Sequence, residues 1–162
     1  ATTLASNLVK VLPNATRYHF GILSSTMHNA WMRAVCGRLK SDYRYSKDIV
    51  YNNFPWPEQP SAAQQAAVEQ AAQGVLDARA QFALTPGPSP RERGASLADL
   101  YDPLTMPPNL VKAHAALDKA VDKCYRPQPF ESDAKRVEYL FGLYEKYTAG
   151  LLAGGKPKRR KG

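Results

Sequence analysis

Phe54-Pro55-Trp56-Pro57 is the stretch that separates two differently patterned parts of the chain. Its alternating prolines fix φ and lack backbone donors, so an extended segment without internal hydrogen bonds is expected here. Before it the sequence is basic and rich in aromatic residues, and after it apolar residues recur at helical spacing. The change predicts a boundary between an N-terminal part, residues 1–58, and a helical part, residues 61–153.

Helix-start signals occur at four places in the C-terminal part, each followed by apolar residues at helical spacing. They are Ser61 with Gln64, Ser96 with Asp99, Pro107 with Pro108, and Ser132. Three prolines in residues 83–95 exclude a continuous helix, so an exposed, flexible loop is expected there. The helices are expected to form a small antiparallel bundle, followed by a basic, disordered tail at residues 154–162.

The N-terminal part is predicted to contain strands. Residues 8–12 and 17–23 have the composition of short strands, and a helix is expected to follow and to stop at Gly37. Residues 43–45 and 49–51 are expected to pair as a hairpin. The predicted fold class is therefore α+β and mostly α, with a small β-containing N-terminal part followed by the helical bundle.

The composition is typical of a soluble globular protein. The chain has 162 residues, of which 44% are hydrophobic and 22% charged. No apolar run approaches the roughly 20 residues of a membrane span, and the first residues lack a signal-peptide pattern. Cys36 and Cys124 are the only cysteines, which argues against a disulfide framework and favours a reducing cytoplasm. These features predict no membrane partner.

The net charge of +8 is unevenly distributed. Five cations lie in residues 156–161, which leaves +3 for everything before them. Residues 1–60 hold seven cations against three acids, whereas residues 61–155 are nearly balanced. The basic charge outside the tail therefore lies in the N-terminal third, together with many of the aromatic residues. A basic, aromatic segment favours a nucleic-acid partner.

The segment from residue 37 to residue 47 is the strongest candidate for a binding site. It reads Gly37-Arg38-Leu39-Lys40-Ser41-Asp42-Tyr43-Arg44-Tyr45-Ser46-Lys47. Arg and Lys can contact phosphates or guanine, Asp can accept from cytosine, and Tyr can stack or form hydrogen bonds. On a strand, Lys40, Asp42 and Arg44 would share one face, so Lys40 and Asp42 could read one G·C pair. A solvated turn with ordinary salt bridges is the alternative.

Two groups of DNA-contacting residues are expected in this segment. Arg38, Lys40, Asp42 and Arg44 are the candidate groove and backbone contacts, and Tyr43, Tyr45, Ser46 and Lys47 are expected to support them.

No catalytic, cofactor or metal site is expected in the chain. Asn53-Phe54-Pro55-Trp56 resembles the adenine-gripping loop of a methyltransferase in composition but not in order, and is more typical of a packed connector. The two cysteines lie 88 residues apart, and no histidine lies at ligand spacing from either. His28 could approach a phosphate, although a structural or solvated histidine is favoured. His114 is expected to be partly buried and hydrogen-bonded, because it lies beside the apolar face of a helix.

Long segments of the sequence resemble the C-terminal part of the MmeI-like single-chain restriction–modification enzymes. The resemblance is carried by Cys36-Gly37-Arg38-Leu39-Lys40-Ser41-Asp42-Tyr43-Arg44-Tyr45-Ser46, by Leu97-Ala98-Asp99-Leu100-Tyr101-Asp102-Pro103-Leu104-Thr105-Met106-Pro107, and by residues 19–25, 27–33, 50–57, 76–80 and 113–122. It covers nearly the whole chain except residues 83–95 and the last ten. In the family the segments on either side of this interval lie closer together, so residues 83–95 are interpreted as an insertion.

The resemblance implies a function. Enzymes of this family fuse a nuclease, a helical spacer, an adenine-specific DNA methyltransferase, a target-recognition domain and a C-terminal helical domain. Residues 1–58 would be the end of the target-recognition domain, and residues 61–153 the helical domain that supports it. The implied partners are double-stranded DNA and the methyltransferase domain of a parent protein in the bacterial cytoplasm. The parent would use S-adenosylmethionine, and Mg²⁺ for cleavage, while this chain would hold no cofactor.

Three functional hypotheses follow from the sequence. In the first, the chain recognises a DNA sequence. In the second, it is a structural or interaction fragment that packs against a methyltransferase domain without specific DNA binding. The third, an independent enzyme, has little support because no catalytic set of residues is found. The sequence leaves open the DNA target, cleavage by the parent, and the oligomeric state.

Overall fold

The computed structural model describes residues 11–40, 42–82 and 97–153, with no side chains described for residues 150–153. Within them lie six α-helices, two β-strands and one π-helix. They are α1 (Arg17–Leu23), α2 (Thr26–Val35), β1 (Gly37–Leu39), β2 (Asp42–Arg44), the π-helix Lys47–Tyr51, α3 (Ala62–Ala80), α4 (Leu97–Leu100), α5 (Pro108–Tyr125) and α6 (Asp133–Ala153). The loop expected at residues 83–95 and the tail expected at 154–162 lie outside the described residues.

The predicted fold class is confirmed. The described chain is mostly helical, and its N-terminal part contains a two-stranded antiparallel sheet formed by β1 and β2. Of the expected strands, only the one at residues 43–45 overlaps an observed strand, β2. Residues 17–23 form α1, and residues 49–51 belong to the π-helix. Of the strand expected at residues 8–12, the described residues 11 and 12 are irregular and the rest lie outside the described residues.

The chain forms two compact units, and each takes residues from both sides of the boundary predicted near residue 58. The first unit consists of Ala1–Thr26 and Pro57–Pro129, and the second of Met27–Trp56 and Phe130–Gly162. The helix α6 belongs to the second unit, whereas the expected bundle would place α6 with α3 and α5. The limits of the sequence domains, 1–58 and 61–153, remain predictions.

The first unit is built on α1, α3 and α5. Gly21 lets α1 approach α3 and α5 closely, because a Cβ placed there would lie 2.7 Å from Cγ1 of Val68. A Cβ would also come within 3.3 Å of side chains of Ala72 and Leu117. Val68, Ala72 and Leu117 are fully buried. Residues 17–23 therefore form a helix packed in a hydrophobic core, where tertiary contacts override their strand-like composition.

The start of α3 follows the predicted capping box. The Gln64 backbone N–H donates to the Ser61 hydroxyl oxygen at 3.3 Å, and the Ser61 backbone N–H donates to the Gln64 side-chain oxygen at 2.8 Å. These two bonds satisfy backbone donors that a helix start leaves without partners. The helix α5 begins at Pro108, as its proline signal predicts. The start of α6 is capped by Ser132, whose hydroxyl accepts from the Lys135 N–H.

Trp31 is the centre of the second unit. Its side chain is 2% exposed, and its indole N–H donates to the Val50 carbonyl at 3.0 Å. Its ring lies 5.1 Å from that of Phe141 and 6.0 Å from that of Tyr144, so α2 packs against α6. A buried indole with its N–H satisfied fixes α2 in place.

The Phe54-Pro55-Trp56-Pro57 stretch forms a packed connector, as expected. Phe54 and Pro55 are buried, and the Trp56 carbonyl accepts from the Tyr147 hydroxyl at 3.2 Å. The rings of Phe54 and Trp56 meet edge to face with centroids 5.5 Å apart. These contacts hold the segment after the π-helix within the second unit.

Candidate nucleic-acid interface

A short hairpin carries most of the side chains expected to contact DNA. The strands β1 and β2 pair antiparallel, with Gly37 opposite Arg44, Arg38 opposite Tyr43, and Leu39 opposite Asp42. In this register two residues separate the strands, and the described one, Lys40, is in a turn. The hairpin expected between residues 43–45 and 49–51 is therefore wrong, because β2 pairs with β1 and residues 49–51 belong to the π-helix. The hairpin belongs entirely to the second unit.

The register assigns the hairpin residues to two faces. Residues directly opposite each other share a face, and neighbours along a strand alternate. One face therefore carries Leu39, Asp42 and Arg44, and the other carries Arg38 and Tyr43. Every described residue of the two strands is exposed. The hairpin is a solvent-accessible ribbon with two chemically different sides.

Arg38 and Tyr43 bind each other across the ladder. A guanidinium N–H of Arg38 donates to the Tyr43 hydroxyl at 2.9 Å, and the guanidinium carbon lies 4.4 Å from the centre of the Tyr43 ring. Both contacts order the long arginine side chain, and cation–π contacts at exposed sites contribute about 0.5–1 kcal/mol. Arg38 is thus held against the hairpin, with its charge still exposed to solvent.

Lys40 occupies the turn and not a strand. Its φ of 57° lies in the left-handed region, which a two-residue hairpin connection requires and which favours Gly or Asn. The prediction that Lys40, Asp42 and Arg44 share a strand face is therefore corrected: Asp42 and Arg44 share one, and Lys40 lies at the tip beside them.

The three charged side chains on this side of the hairpin are available to a ligand. Within residues 11–40, 42–82 and 97–153, the side chains of Lys40, Asp42 and Arg44 form no hydrogen bond or salt bridge. All three are exposed. They are neither buried in the core nor paired with each other, so the solvated turn with internal salt bridges does not describe them.

Tyr45 connects the end of the hairpin to α2. Its hydroxyl lies 3.0 Å from Nε2 of His28, which is 4% exposed. Burial lowers the pKa of His28 from 6.5 to about 4, so its imidazole is neutral at pH 7. Burial, with a smaller contribution from Tyr51, raises the pKa of Tyr45. Two neutral groups therefore share this hydrogen bond at physiological pH.

Ser46 and Lys47 lie at the junction of the hairpin and the π-helix. Ser46 precedes the π-helix in an extended conformation, and its carbonyl accepts from the Val50 N–H. The Lys47 ammonium pairs with the neighbouring Asp48 carboxylate, which also accepts from the Asn52 amide. Lys47 is thus less available to a ligand than Lys40, although its side chain remains more than half exposed.

Of the two roles favoured for His28, structural or solvated, the structure shows a buried, structural residue. It is not a solvated residue of a helix surface, because α2 buries it on the same side as Met27 and Trp31. Its position three residues before Trp31 is the signal that could have revealed this, since residues at that spacing share a helix face. The cross-strand pair of Arg38 and Tyr43 was also missed, because it depends on the register of the hairpin.

His114 is partly buried and hydrogen-bonded, as expected. The Arg79 Nε–H donates to the Tyr101 hydroxyl oxygen at 2.6 Å, and that hydroxyl lies 2.7 Å from His114 Nε2. Burial and then the Arg79 charge lower the pKa of His114, while Asp118 raises it. The three side chains join α3, the end of α4 and α5 within the first unit.

The described residues contain neither a cluster of metal ligands nor a membrane-spanning helix. In the part of the chain that the structure describes, no three His, Cys, Asp or Glu side chains could together hold a metal ion. None of the helices described there is long and apolar enough to cross a bilayer.

Comparison with known proteins identifies the domains to which the chain is similar. A family model for the target recognition domain of MmeI matches residues 1–58, and a model for the C-terminal domain of MmeI matches residues 60–152. The chain thus combines a match to a target recognition domain with a match to a C-terminal domain of the same family. The chain belongs to the MmeI family.

Two relatives show how much of such a protein the chain represents. It is 45% identical over 148 residues to DNA methyltransferase A of Bacillus subtilis strain 168, a match that covers 91% of this chain and 16% of the relative. It is 49% identical to the Type IIL restriction–modification enzyme MmeI, whose structure was determined in complex with DNA. That match has a TM-score of 0.73 and covers 85% of this chain and 17% of MmeI. The chain therefore spans about a sixth of the length of either relative.

Proposed function

We propose that this chain recognises a double-stranded DNA sequence on behalf of an adenine-specific DNA methyltransferase, and that the β1–β2 hairpin makes the specific contacts. The observation that carries the proposal is the exposed side of the hairpin, where the side chains of Lys40, Asp42 and Arg44 have no protein partner in the described chain. The match of residues 1–58 to a target recognition domain supports it.

The chemistry of these three side chains suits base edges in the major groove. Lys40 and Arg44 can donate to the guanine acceptors O6 and N7, and Asp42 can accept from the cytosine amine. A two-stranded ribbon is also narrow enough to enter the major groove. Each good contact of this kind supplies about 1–3 kcal/mol of discrimination against a wrong base.

The remaining members of the segment suit supporting roles. Arg38, ordered on the Tyr43 ring, presents a fixed charge that can neutralise a phosphate without carrying sequence information. Tyr45 ties the hairpin to α2, and Ser46 and Lys47 lie where the ribbon joins the π-helix. This division separates residues that would determine specificity from residues that would orient the ribbon.

The parent protein is proposed to supply the chemistry. Its methyltransferase domain would bind S-adenosylmethionine, and any cleavage would use Mg²⁺, while residues 60–152 would support the recognition domain. The name of the Bacillus relative and the description of MmeI support a methyltransferase as the parent. A bacterial cytoplasmic location follows from the proposed partner, DNA.

Exchanging the charges of Lys40 and Asp42 tests this function. The chain would be used to select binding sites from duplexes with a randomised central segment, and the selection repeated with the Lys40→Asp, Asp42→Lys double variant. We expect both proteins to enrich a defined site and the two sites to differ at one base pair, because donor and acceptor have changed places.

A matched control is the exposed ion pair of Lys135 and Glu138 on α6, exchanged in the same way (Lys135→Glu, Glu138→Lys). This control should select the same site as the unmodified chain. If the hairpin variant also selected the unchanged site, Lys40 and Asp42 would not be base-reading residues. Enrichment of no site by the unmodified chain would favour a purely structural fragment.

A further inference from the structure

The Tyr45 side chain makes the sole side-chain hydrogen bond from residues 37–40 and 42–45 to the rest of the described chain. Its hydroxyl meets His28 Nε2 at 3.0 Å. The other side-chain bond of these residues, between Arg38 and Tyr43, lies within the hairpin. Three-residue strands form a short ladder, and an isolated two-stranded hairpin is marginally stable in water. The orientation of this ribbon therefore depends strongly on its attachment.

The His28 end of that attachment is rigidly held. The imidazole meets the Phe54 ring edge to face, with centroids 4.6 Å apart, and also lies beside the Tyr45 ring at 5.8 Å. Phe54 in turn lies 6.5 Å from the Trp31 ring in the core of the second unit. His28 is thus fixed by a buried aromatic cluster on one side, while its Nε2 is directed at the hairpin on the other.

We infer that His28 is a positioning residue for the DNA-reading hairpin, acting through the Tyr45 hydroxyl on sequence discrimination. The inference rests on the proposed function, since the hairpin must contact DNA for its orientation to matter there. A hydrogen bond between Tyr45 and His28 limits the rotation of the ribbon about its exit from α2 and its entry to the π-helix. A ribbon held in one orientation presents Asp42 and Arg44 at one register in the groove.

A residue that only fills the core would behave differently. Its replacement would lower thermal stability, but folded molecules would retain the same preference for one DNA site. A positioning residue changes that preference in folded molecules. Without its hydrogen bond, which contributes about 0.5–1.5 kcal/mol, the ribbon also adopts orientations that do not fit the selected DNA site. The ratio of specific to nonspecific affinity therefore distinguishes the two roles.

The experiment uses His28→Phe, which keeps an aromatic ring, and Tyr45→Phe, which removes only the hydroxyl, together with the double variant. The DNA probes are a duplex selected by the unmodified chain from a randomised library and a scrambled duplex of equal length. We expect each single variant to reduce the affinity ratio of the two duplexes about 3–10-fold. The double variant should lose no more than either single variant, because all three lack the same bond.

The Tyr101–His114 pair provides a matched control in the other unit. It also joins a tyrosine hydroxyl to a partly buried histidine Nε2, at 2.7 Å, but it does not involve the hairpin. Tyr101→Phe should lower stability and leave the affinity ratio unchanged. Unchanged ratios for His28→Phe and Tyr45→Phe, or additive losses in the double variant, would overturn the inference.

Amide hydrogen exchange in the absence of DNA tests the positioning role independently of DNA binding. Tyr45→Phe should speed exchange at the cross-strand amides of residues 38–44 and leave α3 and α5 unaffected. If the unmodified chain selected no DNA site but this local change appeared, the proposed function would fail and the attachment would stand. If exchange in the hairpin were unchanged, the positioning role would be refuted.

Discussion

At the scale of single residues, the exposed hairpin combines backbone strain with unpaired charge at the same position. Lys40 adopts a φ of 57° although lysine has no side-chain means of favouring that region. Its side chain also has no hydrogen bond or salt bridge in the described chain. The hairpin connection accounts for the left-handed backbone, and the proposed DNA contact concerns only the charge.

Replacing Lys40 by Gly or by Ala separates the strain from the charge. Both variants lose the ammonium group, but only Gly adopts a positive φ without a steric cost of about 1 kcal/mol. We expect Lys40→Gly to slow amide exchange in β1 and β2 relative to Lys40→Ala, by a factor corresponding to about 1 kcal/mol. Both should weaken binding to the duplex that the unmodified chain selects, because both lose the proposed donor to guanine.

The two measurements answer different questions about Lys40. Equal exchange rates in the Gly and Ala variants would contradict the left-handed conformation of the turn. Unchanged affinity in both variants would show that the Lys40 ammonium does not contact DNA. The pair of substitutions thus keeps a conformational effect from being mistaken for an electrostatic one.

At the scale of elements, helices with local start signals were predictable and elements defined by tertiary contacts were not. Ser61 with Gln64 and Pro108 identify the starts of α3 and α5 from a few adjacent residues. The helix α1 has strand-forming residues, and packing on α3 and α5 decides its conformation. Its start has a histidine at the capping-box position, where His19 Nδ1 accepts from the Thr16 N–H, an uncommon signal.

The candidate site shows the same limit. Its chemistry could be predicted, because alternating cations and tyrosines are visible in the sequence. Its geometry could not, since the sequence between the two strands, Lys-Ser, lacks the Asn-Gly or Asp-Gly pattern that identifies such hairpins. The π-helix that follows is a rare element without a recognised sequence signal. The partnership of His28 with Tyr45 depends on both.

Gly21 offers a test of how α1 packs. In Gly21→Ala the new Cβ would lie 2.7 Å from Val68 Cγ1 and 3.3 Å from side chains of Ala72 and Leu117. Because these neighbours are buried, relief of the clash requires movement of the helices, and overpacking of this kind costs typically 1–3 kcal/mol. We expect the free energy of unfolding to fall by about that amount in a denaturant titration.

Gly74→Ala is the matched control for this prediction. Gly74 lies within α3, and a Cβ there would meet nothing within 4 Å. Alanine is favoured over glycine inside a helix by roughly 0.5–1 kcal/mol, so this variant should be stabilised. A stabilised Gly21→Ala variant would contradict the close approach of α1 to α3.

At the scale of the whole molecule, the charge divides into a part that can discriminate sequences and a part that cannot. The exposed hairpin presents cations beside an acid in a fixed geometry, which suits base recognition. Five further cations lie in residues 156–161, where the only other residue is a proline. Charges of that kind attract any nucleic acid, since phosphates are the same in every sequence.

Deleting residues 156–161 separates these two contributions. Each phosphate contact adds about 0.9 to the slope of log affinity against log salt, so removal of five cations should reduce the slope by up to about 4.5. At each salt concentration between 50 and 200 mM, the deletion should lower the affinity for a scrambled and for a selected duplex by the same factor. The ratio of the two affinities should therefore stay unchanged. Fluorescence anisotropy with both labelled duplexes measures each quantity. A ratio that fell after the deletion would mean that the tail helps to discriminate sequences, and an unchanged slope would mean that it does not contact phosphates.

In contrast, the Asp42→Asn variant should reduce the ratio with little effect on the slope, because the carboxylate accepts from a base and neutralises no phosphate.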